Sequence, residues 1–68
     1  MKLLDVVATL EDVPEARLAK GQVGTIVDQL NEEVVLVEFA DLSGVAYAIE
    51  PIFVRKLIEL RHTPAMAA

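Results

Sequence analysis

The chain has 68 residues, no cysteine and a formal charge of −5, from eleven carboxylates against six Lys and Arg. Disulfide frameworks and thiolate metal cages are excluded, and a domain this small buries only about 60% of the surface its unfolded chain exposes. The negative field opposes contact with nucleic-acid phosphates and anionic lipid.

Hydrophobic residues make up 54% of the chain but aromatics only 4%, so the core is built from Val, Leu, Ile and Ala, with Phe39, Phe53 and Tyr47 as its large rings. The start, Met1-Lys2-Leu3-Leu4, has the charge of a secretory leader. Asp5 interrupts its apolar run and no small-residue cleavage site follows, so no leader is expected. No apolar run approaches the ~20 residues of a membrane span. The expectation is a cytoplasmic protein that does not engage a membrane.

In chain order, Leu3 to Leu10 reads as a first strand. Its even-numbered members Leu4, Val6, Ala8 and Leu10 are all apolar and are expected to face the core. Glu11 to Lys20 contains Pro14 and too little apolar period for a helix, so it reads as a long loop with one helical turn after Asp12, anchored by Leu18. Gln22 to Leu30, Glu33 to Ala40 and Val45 to Glu50 read as strands two to four. Pro51 to Val54 reads as a tight turn, and Lys56 to Arg61 as the fifth strand. The residues from His62 onward are small and are expected to fray, giving a domain over 1–61 and a flexible tail over 62–68.

The Asp41-Leu42-Ser43-Gly44-Val45 bracket fits a three-residue hairpin loop, a type I turn followed by a left-handed Gly44. It predicts Asp41 opposite Val45, Phe39 opposite Tyr47, Val37 opposite Ile49, Glu38 opposite Ala48 and Leu36 opposite Glu50. Both rings then share one face and both carboxylates the other, whereas a one-residue slip would mix the faces. Five short strands with a long first loop and a tight turn before the last strand point to an all-β fold, a small five-stranded SH3-like barrel. The alternative is an open five-stranded sheet completed by a second copy.

The segment Gly21-Gln22-Val23-Gly24-Thr25 is the most distinctive. It leads into a strand, not a helix, and lacks the Lys-Ser or Lys-Thr ending of a phosphate loop. Its glycines therefore read as structural: Gly21 turns the chain, and Gly24 makes a bulge, or takes a positive φ, where a side chain is not tolerated. With Leu3-Leu4-Asp5-Val6-Val7-Ala8, Leu10-Glu11-Asp12-Val13-Pro14-Glu15, Thr25-Ile26-Val27, Val37-Glu38-Phe39, Asp41, Gly44 and Tyr47-Ala48, this segment resembles a family of small, mostly bacterial proteins, domain of unknown function 4926. The resemblance runs from Met1 to about Leu60. It implies a compact SH3-like barrel with no established enzymatic activity or cofactor. It also implies a role paired with the product of a neighbouring gene, either toxin–antitoxin-like or accessory.

Chemistry-bearing groups are few. His62, the sole histidine, sits beside the tail, a poor mount for a general base. Thr9, Thr25, Ser43 and Thr63 have no base placed by a motif. Glu11, Asp12, Glu15, Glu32 and Glu33 lack the alternating pattern of a calcium loop and read as solvated charge. Among the bases only Arg55, Lys56 and Arg61 stand close enough to cluster, and no exposed aromatic accompanies them by pattern.

The expectation is a non-catalytic protein–protein interaction module without cofactor, metal or small-molecule ligand. It would be homo-oligomeric, the cognate partner of a neighbouring gene product, or both. The competing readings are a KOW-like nucleic-acid-binding barrel and a small accessory subunit of an enzyme. The expected interface is an outward apolar patch of Val34, Leu36, Ala46, Ala48 and Leu57. Ile26 and Val27 point to opposite faces, and the pattern leaves open which of them faces the core.

Overall fold

The structure is a computed structural model and describes residues 1–60. The Arg61 end of the expected fifth strand and the expected tail over 62–68 lie outside the described residues. Five strands form one antiparallel sheet: β1 (Val6–Thr9), β2 (Val23–Gln29), β3 (Val34–Ala40), β4 (Ala46–Phe53) and β5 (Leu57–Glu59). Their order across the sheet is β4-β3-β2-β1-β5, so the fold is all-β and the sheet keeps two free edges, β4 and β5.

Chain geometry forces this open sheet to curl. From Phe53 to Leu57 the chain advances four residues, through a 3₁₀ turn at Val54–Lys56. That reaches at most about 14 Å. In a flat sheet the two edge strands would lie four spacings, about 19 Å, apart. The sheet therefore wraps around one core of Val7, Val13, Leu18, Ile26, Val35, Val37, Phe39, Ile52 and Leu57, to which all five strands contribute. It is a loose barrel, not a closed one.

The first loop covers part of this core, as its anchoring Leu18 suggested. Pro14–Ala16 forms a single 3₁₀ turn that ends at a left-handed Arg17. Val13 and Leu18 bridge to each other by paired backbone bonds, and both are buried. Thr9 ties the loop to β1. Its hydroxyl donates to the Ala19 carbonyl and accepts the Gln22 N–H, each at 2.9 Å, with the residue only 2% exposed.

Several expectations are corrected. The inward set of β1 is Val7 and Thr9; of the even-numbered residues Ala8 is buried, but in a row with half-exposed Val23 and Ile58, and Leu4 and Leu10 are exposed. Apolar parity misled because the Thr9 hydroxyl is fully bonded and so costs little to bury. Leu4 stands in a turn at φ 69 outside the strand. The fourth strand continues through Pro51 to Phe53, and the expected turn at Pro51 to Val54 falls instead at Val54–Lys56. β4 is an edge strand, where the N–H that proline lacks is not needed for the ladder.

The hairpin turn forms as expected: the Asp41 N–H donates to the Val45 carbonyl, and Gly44 has φ 80. The Asp41 carboxylate accepts the N–H groups of Ser43 and Val45. Beyond Ala40 and Ala46, however, Tyr47 is an extra residue, and the register becomes Phe39 with Ala48, Glu38 with Ile49, Val37 with Glu50 and Leu36 with Pro51. Two residues of β4 thus stand against Phe39, the arrangement of a β-bulge. The Tyr47 ring stays beside the Phe39 ring, with centroids 6.4 Å apart. The shift sends Ile52 into the core and leaves Ile49 outside.

Gly21, at φ 83, turns the chain as expected. Gly24 does not: it has no positive φ, and the irregularity in β2 lies at Val27. Its role is close approach, since it sits opposite Phe39 and a Cβ there would lie 2.9 Å from that ring and 2.9 Å from the Glu38 carbonyl oxygen. The irregularity also assigns the pair left open by the pattern: Ile26 is fully buried and Val27 is exposed.

Candidate interaction surface

Directly paired residues of an antiparallel sheet share a face. The core face of β3 and β4 therefore carries Val35 with Ile52 and Phe39 with Ala48. The opposite, outer face carries Val34 with Phe53, Leu36 with Pro51 and Glu38 with Ile49. Asp28 and Thr25 extend the last two rows onto β2.

Of the five residues expected at an interface, Val34, Leu36 and Ala46 lie on this outer face, the first two half-buried and Ala46 exposed. Ala48 does not, because the Tyr47 bulge turns it inward against the core. Leu57 does not either: it pairs with Thr9 and is 4% exposed within the core. Glu59, of the same parity as Leu57, is nevertheless exposed, because it ends a three-residue strand.

The sequence reading missed the largest apolar contributors, Ile49 (52% exposed) and Phe53 (40%), with Pro51 between them. The available signal was Pro51 itself. A proline in a strand marks an edge, and Ile52 and Phe53 beyond it then belong to the sheet and not to a turn. A second outer row, Val23, Ala8 and Ile58, crosses β2, β1 and β5, with Val23 and Ile58 about half exposed.

At the β4 end of the outer face, Glu32, Glu33, Phe53, Val54 and Arg55 line an open cleft of about 400 Å³. The Arg55 guanidinium lies 4.6 Å above the centre of the Phe53 ring. Lys56, the next residue, turns instead to Glu11 at 3.7 Å and Glu15 at 3.9 Å. Two of the three bases expected to cluster are thus engaged separately, and the third, Arg61, lies with His62 outside the described residues. Among the hydroxyls considered as nucleophiles, Thr9 is committed to the loop. Among the described residues, no group of three or more His, Cys, Asp or Glu is placed to hold a metal ion. No helix of the described residues is long and apolar enough to cross a membrane.

The β4 edge is poorly suited to adding another strand. Pro51 removes one ladder donor and the Tyr47 bulge distorts the other end, both devices that blunt an edge. What remains available is the face. None of the curated proteins or solved structures compared with the chain matches it. One family does match, over residues 3–59, and it is described only as a Domain of unknown function. With that match spanning nearly the whole sheet, the chain belongs to the DUF4926 family.

Proposed function

We propose that the chain is a non-catalytic protein–protein interaction module, acting as a homo-oligomer or as the cognate partner of another gene product. Its docking surface is the outer face of β3 and β4. The observation that supports this reading is the row of Ile49, Pro51 and Phe53 beside half-buried Leu36 and Val34, with Glu38 on β3 and Asp28 on β2 as the charges in these rows. Contiguous apolar surface of this kind marks interaction sites more often than bare protein surface. Hydrophobic cores of interfaces are depleted in charge and enriched in aromatics, as this one is.

Light scattering behind size exclusion tests the reading. The chain purified from its host should run above its monomer mass, alone or with a bound protein. Ile49→Asp should return it to the monomer while leaving the circular dichroism unchanged. A parent that is monomeric at high concentration and carries no bound protein overturns the proposal.

A further inference from the structure

The charge of this chain is unevenly spread, and the division follows the fold. Between Gly21 and Val54 stand six carboxylates, Asp28, Glu32, Glu33, Glu38, Asp41 and Glu50, and no Lys or Arg at all. The remaining residues hold all six bases and five carboxylates, so their charges nearly cancel. The whole negative excess therefore lies on β2, β3, β4 and their two turns, the part of the sheet that presents the uncovered apolar face.

Five of the six carboxylates stand on the outer face or in the turns at its ends, while Glu50 pairs with Val37 on the other face. Glu38 and Asp28 lie in the rows of the outer face, on β3 and β2. Glu32 and Glu33 are exposed in the turn at one end of the hairpin, and Asp41 is exposed in the turn at the other. Among the described residues, Arg55 borders the cleft and lies over Phe53. By contrast, Glu11 and Glu15 of the first loop already face Lys56.

We infer that the outer face of β3 and β4 docks a protein surface that is apolar at its centre and basic at its rim. This rests on the docking reading above and chooses between its two modes. A second copy applied face to face would set Glu38 and Asp28 of each copy against their counterparts, with only the bordering Arg55 to offset them, and like-charge juxtaposition of this kind suppresses association. A partner with Lys or Arg around an apolar centre meets Ile49, Pro51 and Phe53 with its apolar part. Its bases meet Glu38, Asp28 and the two turns. Opposite potentials of that kind also steer the encounter.

The probe is a soluble peptide of alternating leucine and lysine, with a leucine–glutamate peptide as control, titrated into the isotope-labelled full chain. The lysine peptide should shift backbone amides of β3 and β4 and leave those of the first loop in place. Its affinity should exceed that of the glutamate peptide by roughly tenfold or more and fall steeply with added salt. Glu38→Lys should weaken it several-fold, with Glu38→Gln as the milder variant should the first disturb the spectrum. Glu11→Lys, a reversal beside Lys56, should leave it unchanged. If Ile49→Thr abolishes binding while both Glu38 variants bind as the parent does, the docking face stands and the basic partner is overturned. Equal affinity for the two peptides overturns it as well. Shifts confined to the first loop overturn both the basic partner and the docking face.

Discussion

Val35, Val37, Phe39 and Ile52 on one face of the β3–β4 hairpin are at most 2% exposed, while Ile49 and Phe53 on the other keep about half of their surface in water. The side chains are of the same kinds, and the difference lies in what covers them. The inner face is covered by the curl of the sheet and by Val13 and Leu18 of the first loop. Among the described residues, the core cluster includes none of the outer-face side chains. One face of the hairpin therefore carries stability, and the other is free to carry recognition. Substitutions should separate the two roles.

The largest loss of stability is expected at Leu57, the residue where the last strand closes onto the core. Leu57→Ala removes a buried side chain and should lower the unfolding free energy by about 2–5 kcal/mol. Against the roughly 5–15 kcal/mol that holds a domain together, this is a large share. Urea denaturation followed by circular dichroism measures it. A loss under about 1 kcal/mol would mean that β5 is not part of the core.

Next comes Gly24. A methyl group there meets the Glu38 carbonyl at 2.9 Å, and backbone cannot move aside as a side-chain tip can. Gly24→Ala should cost about 1–3 kcal/mol, in the range of an overpacked core. Gly44→Ala, where nothing lies within 4 Å but φ is 80, tests the opposite cause at a similar site. Equal melting of Gly24→Ala and the parent would show that β2 and β3 can separate to admit the methyl.

These two residues also mark how much of the fold was legible in the sequence. The five strands, the helical turn in the first loop, the Leu18 anchor and the Asp41–Gly44 turn followed from turn chemistry and alternation. Both depend on residues adjacent in the chain. The intolerance at Gly24 was legible too, but its cause was not, because the crowding comes from Phe39 and Glu38 on another strand. The bulges at Tyr47 and Val27 left no local mark. Each shifts the register by one residue, and the one at Tyr47 is why Ala48 and Ile49 exchanged faces and why Ala48 was misplaced in the expected patch. Leu57 failed for a related reason. A strand of three residues is too short for alternation to declare a face.

A smaller effect is expected at Lys56, where the first loop meets the turn before β5. Its ammonium stands 3.7 and 3.9 Å from two carboxylates that are largely exposed. Exposed pairs of this geometry contribute roughly 0–1 kcal/mol. Lys56→Met keeps most of the largely covered stem and removes the charge. The melting point should fall slightly at low salt and coincide with the parent at high salt. A loss that salt does not diminish would assign the role to packing of the lysine stem.

The smallest change in stability should come from Ile49→Thr, and it should come with the largest change in association. Threonine keeps the β-branch that suits a strand, so the backbone of β4 loses none of its preference for the extended form. Position 49 lies outside the core cluster and pairs across the ladder with Glu38, so no cavity opens and no buried group loses a partner. Substitutions at such surface positions usually fall within about 0.5 kcal/mol of the parent. An interface behaves differently, because its energy is concentrated in a few central side chains. Ile49 stands beside Pro51 and Phe53 on an edge strand, whose outer side chains have no neighbour beyond them in the sheet. Unchanged denaturation together with lost association would place Ile49 in the recognition face. Unchanged denaturation with unchanged association would return β4 to ordinary surface, and parallel loss of both would show that the two faces of the hairpin are not energetically separate.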